Sequence, residues 1–365
     1  MKTITETLGG AQELLDISFS LQSCFEEALN DQQRTFLHMM RCIEEHIPIL
    51  YRPYAGTGRI PYQYGPFIKS QLAKNFFRIT TTQMLIERLK ADPNLRLLCN
   101  FKKVPGKASF SRVFCYLAEI DIMTKIRDKL TAAVLKDKIV YHISRDSTAI
   151  QARETVPKKA AKKPPEPPKK RGRPPKTAIK QEKQPKEMEK QLTEDPYVSL
   201  NNLNKKCAYG CKQDSRGNRI VWKGYKLHLD VSDWGYPITA CVTGANVQDS
   251  LLAIPMEKIT EQKAASCYSL MDSGYDAKTI RSYIESRERV PIIDYKTRNN
   301  GTRQVLDPAK QERYKIRTSV ERANSHLKDS LLPKAIYVKG NAKVSFVLFA
   351  GVLCLAVLKH LQALC

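Results

Sequence analysis

The chain has 365 residues, enough for two domains or one large domain with additions. Lys and Arg number 61 against 37 acidic residues, a net charge of +24. That balance favours a polyanionic partner, nucleic acid before an anionic membrane surface, with a ribosomal-type or merely soluble basic protein as the alternative. Ten cysteines are scattered from Cys24 to Cys365 in a chain too long to need disulfide staples, so they read as reduced thiols of a cytoplasmic protein. Cys207 and Cys211 form a C-x3-C pair with no second pair or His at zinc spacing, which argues against a zinc site.

In chain order, residues 1–130 read as helical, and Met1–Glu6 lack the apolar core of a signal peptide. Thr80, Thr81 and Thr82 offer N-caps for a helix over Gln83–Lys90, and Ser109 for one carrying Phe110, Val113, Phe114 and Leu117 at i, i+3, i+4, i+7. Lys102, Lys103, Lys107 and Arg112 surround the turn at Pro105-Gly106. This suits a helix-turn-helix-like DNA-binding region, with a plain helical bundle as the alternative.

Residues 131–155 hold a first strand, with Ile139, Tyr141 and Ile143 alternating and the strand ending at Asp146. Residues 156–200 read as a basic linker: within 156–190 alone, 13 Lys or Arg and eight prolines stand against four Glu. Such a composition builds no core. Inside it, Lys169-Lys170-Arg171-Gly172-Arg173-Pro174-Pro175-Lys176 resembles an AT-hook, in which Arg171 and Arg173 lie along a narrow A·T minor groove. A solvated spacer that touches phosphates without preference is the alternative.

Residues 201–340 return to order. Gly217-Asn218 reads as a turn, Tyr225–Val231 and Tyr236–Val242 as strands, Asp249 or Ser250 as a helix cap, and Cys267–Met271 as a strand ending at Asp272. Asp276 reads as a cap, Val290–Ile293 as a strand, and a long helix begins near Pro308. Residues 341–365 hold an apolar helix. Its run Val344–Leu358 is shorter than the roughly 20 residues a bilayer needs, so it is expected to pack against a sheet and not to enter a membrane. The order gives an α/β layer architecture with aspartates at strand tips.

Cleavage of a phosphodiester by two metal ions needs carboxylates that converge from different elements. Asp146 and Asp272 end strands, and the helix after Pro308 supplies Glu321. A continuous α-helix sets Tyr314, Arg317, Glu321 and Lys328 within about 60° of one another. One carboxylate beside Arg, Lys and Tyr suits a metal ligand among DNA phosphates; a solvated stripe of ion pairs is the plain alternative. His142 and His228 read as packed strand histidines, and Asn246 and Asp249 as residues that order a turn.

The spacing Tyr314-x2-Arg317-x3-Glu321-x6-Lys328 resembles the signature of DDE transposases from bacterial insertion sequences, in the branch around insertion sequences four and five. Arg145–Thr148 and Leu270–Asp276 resemble that family's two aspartate segments, Trp222–His228 and Thr243–Ser250 its intervening strands, and Arg59–Phe114 its N-terminal helical region. Gln248 stands where the family often has His. The resemblance implies a ribonuclease-H-like mixed sheet flanked by helices, with Asp146, Asp272 and Glu321 as catalytic metal ligands for Mg²⁺, replaceable by Mn²⁺. It implies cleavage of double-stranded transposon-end DNA and attack of the 3′ hydroxyl on target DNA, in a homodimer or higher multimer at the nucleoid. Tyr314, Arg317 and Lys328 would contact that DNA. A ribonuclease-H-like nuclease without strand transfer, or a domesticated DNA-binding protein, are the competing classes.

The AT-hook reading makes a direct prediction. Arg171→Ala combined with Arg173→Ala should weaken binding to A·T-rich duplexes more than to G·C-rich ones in a gel-shift competition. Equal loss on both leaves only the spacer reading.

Overall fold

The computed structural model describes residues 28–48, 50, 61–136, 138–157, 186–213, 217–296 and 304–364. The AT-hook-like octet, with Arg171 and Arg173, lies outside the described residues. Two compact units emerge: Met1–Lys136, Arg322–Tyr337 and Ala342–Cys365 form one, and Asp137–Glu321 with Val338–Asn341 the other.

The first unit is helical: α1 (Asp31–Glu44), α2 (Gly65–Phe76), α3 (Thr82–Ala91), α4 (Pro93–Leu98), α5 (Lys107–Glu119) and α6 (Ile122–Val134). Local caps start three of these helices. Asn30 and Gln33 form a reciprocal capping box, Thr81 accepts from the Met84 amide, and Asp92 from that of Leu95. Ser109 is not a cap: α5 starts two residues earlier, behind Gly106. Aromatic side chains fill the interior, with Phe67 edge-on to Phe101 and Phe110.

The C-terminal helix spans Asn341–Leu364 and is long and apolar enough to cross a membrane by length and composition. Its middle is buried, and against helices, not the sheet expected from its sequence. Asn75 donates to the Val347 carbonyl at 3.0 Å, the Cys354 thiol reaches the Leu72 carbonyl, and Arg127 lies over the Phe349 ring. A helix apolar on every side suits a core that surrounds it.

The second unit is α/β. Its chain order is β1 (Ile139–Gln151), α7 (Glu187–Thr193), α8 (Pro196–Asn202), β2 (Ala208–Gln213), β3 (Arg219–Val231), β4 (Pro237–Gly244), α9 (Ala253–Glu261), β5 (Ala265–Met271), α10 (Lys278–Ser286), β6 (Val290–Ile293), α11 (Pro308–Tyr314) and α12 (Thr318–His326), which belongs to this unit as far as Glu321. α7 and α8 fall within the stretch read as linker. Asp195 caps α8, and Gln191 of α7 donates to the Leu251 carbonyl, so tertiary contacts override the composition there.

The sheet runs β2-β3-β1-β5-β6, with β4 also on β3. β1, β3 and β4 pair antiparallel, while β5 and β6 join β1 in parallel. This mixed sheet with helices around it is the ribonuclease-H-like architecture. Gly224 sits where β1, β2 and β3 meet; its φ is +153°, and a Cβ there would run into the Ile150 carbonyl.

Alternation along β1 sends neighbours to opposite faces. Arg145 enters one face and is 1% exposed. It donates to both oxygens of Asp230, at 2.6 and 2.7 Å, and to the Ala253 carbonyl at 2.6 Å, with Glu257 2.9 Å away. Burial works against its charge, but Asp230 and Glu257 more than offset this and raise its pKa. Asp230 also accepts from the Thr260 hydroxyl, and Glu257 from Ser269 and Arg289.

Removing one partner leaves an uncompensated buried charge. Asp230→Ala should therefore destabilise the unit by about 3–5 kcal/mol in urea unfolding. A loss under ~1 kcal/mol would show that the network is dispensable.

Candidate active site

The opposite face of β1 carries His142, Ser144 and Asp146. Ser144 and its parallel partner Leu270 are the last paired residues of β1 and β5. Asp146 and Asp272 each follow that pair by two residues, Asp146 still within β1 and Asp272 one residue past the end of β5. The β5–β6 register, in which Met271 pairs with Ile293, puts Asp294 next to Asp272 in turn. Parallel strands lie about 4.8 Å apart, so the backbones of the three aspartates leave neighbouring strands at one edge of the sheet.

Asp146 is not at a strand tip, as the sequence suggested. β1 continues to Gln151 because β3 supplies antiparallel partners: Leu229 opposite Asp146, and Leu227 opposite Thr148. Asp272 does end its strand, and its carboxylate accepts from the Gly274 amide at 2.9 Å in the turn Ser273–Tyr275.

Burial pushes the Asp146 carboxyl up to about 6, and the charges of Asp272 and Asp249 add to this; the Ser147 amide and Arg317 pull the other way. Asp272 is likewise raised, first by burial, against the Gly274 amide and Arg317. The two aspartates therefore share one field, with Arg317 as the cation within it.

The segment after Pro308 is not the continuous α-helix expected. It is α11, then a 3₁₀ turn over Lys315–Arg317, then α12, then a π-helical turn over Leu327–Leu331. A 3₁₀ turn advances about 120° per residue in place of 100°, so a single helical wheel does not describe the four signature residues. Three of them still meet. The Arg317 guanidinium lies 5.6 Å from the Tyr314 ring centroid and is hydrogen-bonded to Glu321. Lys328 falls in the π-helical turn, within the other compact unit. On this side of the sheet, Ser319 and Ser144 hydroxyls are 3.2 Å apart, and Arg313 stacks on Tyr268 while reaching the His142 Nε2 at 3.3 Å.

Glu321 is hydrogen-bonded to Arg317, whose charge also acts on the two aspartates. Among the described residues, no three His, Cys, Asp or Glu side chains converge as a metal cage. The donor chemistry still fits a hard divalent cation: oxygen ligands only, two of them desolvated in a shared negative field. A guanidinium now supplies the compensating charge.

The histidines are packed in the strands as the sequence suggested. His142 pairs its Nδ1 with Asp233 at 2.9 Å and stacks on Tyr268. His228 is fully buried with Nε2 on the Thr243 hydroxyl at 2.9 Å, and burial lowers its pKa to about 4. Asp276 is no cap; it pairs with Arg281 at 3.0 Å and accepts from the Lys296 amide. Asp249 does not cap either, since its carboxylate is held by Lys226 at 2.9 Å. Sequence reasoning missed Asp294, although an aspartate directly after the apolar run Val290–Ile293 repeats the signal that found Asp272.

Comparison with known families gives two matches. The family described as Transposase DDE domain matches residues 141–357, and that described as Transposase domain (DUF772) matches residues 25–114. No curated protein and no solved structure matches the chain.

The raised Asp146 carboxyl carries a pH signature. Its folded pKa, about 6, exceeds its ordinary value of 3.8, so its contribution to stability is full below pH 3.8 and is lost as pH rises through 6. In metal-free buffer, Asp146→Asn should match the parent's stability near pH 4 and exceed it above pH 7 by about 1–2 kcal/mol. A difference between the two proteins that stays flat from pH 4 to 8 would refute the shared-field description.

Proposed function

The chain belongs to the transposase DDE domain family, and from that premise we propose that it cuts transposon-end DNA and joins the freed 3′ hydroxyl to target DNA. The observation that carries this reading is that Asp146 and Asp272, each two residues past the last pair of two parallel strands, both lie within the influence of the Arg317 charge, and Arg317 is hydrogen-bonded to Glu321. Family members bind DNA and use divalent metal ions for nuclease and transesterase chemistry.

In this chain Asp146, Asp272 and Glu321 would hold the ions, Mg²⁺ by preference with Mn²⁺ accepted, as their oxygen chemistry favours. When bound, such ions activate the attacking oxygen and stabilise the leaving one in an in-line displacement at phosphorus.

The chain's own residues do the positioning. Asp146 is held within β1, and Asp272 by the end of β5 and the Gly274 amide. Arg317 can exchange Glu321 for a DNA phosphate, a charge-assisted contact that holds the strand near the carboxylates. Tyr314, under the Arg317 guanidinium, stacks on or hydrogen-bonds the DNA end, and Lys328 takes a further phosphate. The helical residues 1–130 read the transposon ends, and the basic segment with Arg171 and Arg173 adds affinity by releasing counterions. The protein works as a homodimer or higher multimer on double-stranded DNA, in the cytoplasm at the nucleoid.

Alanine at Asp146, Asp272 or Glu321 should abolish cleavage and strand transfer together while DNA binding persists, measured on labelled end DNA with Mg²⁺ or Mn²⁺. Near-parental cleavage by any of the three, or cleavage by the parent without metal, rejects the mechanism. Cleavage with no strand transfer in the parent would leave a nuclease.

Arg317→Ala should slow cleavage by tens to hundreds of fold, the kinetic equivalent of losing about 1.5–3 kcal/mol of a charge-assisted contact. Full activity in that variant would remove Arg317 from the DNA-positioning role.

A further inference from the structure

Residues 307–321 carry four basic side chains, and one of them is partnered unlike the rest. Lys310 pairs with Asp307 at 3.5 Å, Lys315 with Glu312 at 2.5 Å, and Arg317 with Glu321. Arg313 has no carboxylate partner among the described residues. It meets an imidazole and a phenol ring instead.

Those two rings are built into the sheet. His142 and Tyr268 are register partners on the parallel strands β1 and β5, so both side chains leave one face, the face of Ser144. Their rings stack with centroids 4.8 Å apart and planes 16° from parallel. The Arg313 guanidinium lies 4.3 Å from the Tyr268 ring centroid and donates to His142 Nε2 at 3.3 Å. Arginine only donates, so Nε2 is the accepting nitrogen and Nδ1 carries the proton. Nδ1 gives its hydrogen bond to Asp233 at 2.9 Å, and the same carboxylate accepts from the His142 amide at 3.1 Å. Asp233 thus fixes the tautomer, His142 turns a lone pair towards the guanidinium, and the Tyr268 ring supports it.

Arg313 is itself exposed, and α11 has no buried residue. One N–H goes to His142, and the others are left for a partner from outside. Fastening an exposed helix to a sheet calls for an apolar or neutral polar side chain, not for a charge without a counter-ion. A planar guanidinium held in place with N–H groups to spare is suited to a phosphate.

Resting on the DNA reading above, we propose that Arg313 binds a backbone phosphate of the DNA on the flank of the bond being cut, pre-organised by Tyr268, His142 and Asp233. Asp146 and Asp272 follow His142 and Tyr268 by four residues each. Four residues of strand span about 13 Å, the rise of about four base pairs of duplex. Arg313 therefore holds a flanking phosphate and Arg317 a nearer one. His142, Tyr268 and Asp233 touch no DNA and are positioning residues.

The test combines variants of the full chain with labelled transposon-end duplexes in which single phosphates are replaced by uncharged methylphosphonates, with binding measured in metal-free buffer. On unmodified duplex, Arg313→Ala should weaken binding roughly 10- to 100-fold. Its slope of log affinity against log salt should be shallower by about one. A methylphosphonate at one flanking phosphate should weaken binding by the parent and leave binding by Arg313→Ala unchanged. Arg313→Lys keeps the charge without the planar fork and should recover only part of the affinity. Tyr268→Phe keeps the ring and should bind as tightly as the parent, whereas Tyr268→Ala should bind like Arg313→Ala. If Tyr268→Ala fails to fold, Arg313→Ala, on an exposed helix, decides.

A role confined to fastening α11 gives a different result: every methylphosphonate costs the parent and Arg313→Ala the same. That outcome, or parental affinity and salt slope in Arg313→Ala, overturns the proposal. Arg317→Ala separates the two levels of inference. Coupling of a phosphate to Arg317 with none to Arg313 removes the flanking contact and leaves the DNA-cutting reading standing. No coupling of any phosphate to either arginine overturns both.

Discussion

The buried Arg145 guanidinium is the contact on which the α/β unit is organised. It sits one residue before Asp146 and points the other way, because neighbours in a strand alternate. Its bonds to Asp230 and the Ala253 carbonyl tie β1 to β3 and to the first turn of α9. Glu257, from the same helix, passes the connection on to Arg289 and Ser269, and so to β5 and the approach to β6. Taking these charges out of water costs several kcal/mol per ion, and only near-complete pairing offsets it. The cost is consistent with what the network does: it fixes the facing of β1. Any slip of one residue would exchange Arg145 and Asp146, placing a bare carboxylate against α9 and a guanidinium at the open edge. The position of the site is thus set from behind.

On the open face the charge problem is reversed. Two half-dry carboxylates stand side by side, and Arg317 is the cation that makes this tolerable. Its own pKa is raised by Tyr314, Glu321, Asp146 and Asp272 against the effect of burial. One guanidinium thus serves three carboxylates and an aromatic ring. A divalent cation would supply the same compensation with more charge, and a DNA phosphate would offer Arg317 an alternative partner. On the proposed function, loading the site and engaging DNA would be linked through a single side chain. Glu321 is the residue whose place depends most on that exchange, because it alone among the three comes from a helix and not from the sheet.

How much of this was legible in the sequence follows from the range of the interactions involved. Asp272 was readable because an apolar run stops at a carboxylate, a local signal. The extension of β1 past Asp146 was not, since it depends on β3 residues 73 to 81 positions away pairing with Ser147 to Gln151. The break at Lys315–Arg317 has no Gly or Pro to mark it. Asp249 was misread as a cap because a local rule fits an aspartate before Leu251 and Leu252; its carboxylate is taken instead by Lys226 from another strand, 23 residues back. The helices Glu187–Thr193 and Pro196–Asn202 were lost in a stretch whose overall composition is that of a linker. The apolar C-terminal helix was visible, but its neighbours were not, and a helix hydrophobic on all sides does not say whether sheet or helices surround it.

A strongly basic chain with an acidic site is a consistent design once the two tasks are separated. Net charge of +24 draws in a polyanion from a distance and acts through many exchangeable contacts. A pocket of carboxylates does the opposite, repelling phosphate at short range. The repulsion falls where cations stand between the two, and on the proposed function Arg317 or a bound metal would do so at Asp146 and Asp272. Screening sharpens the division, since at physiological salt each charge is felt over about 8 Å. On the proposed function, binding would be governed by the net positive charge of the chain, and access to the aspartates by Arg317. Substitutions in the two regions should consequently act on different observables, the first on affinity and its salt dependence, the second on the chemical step.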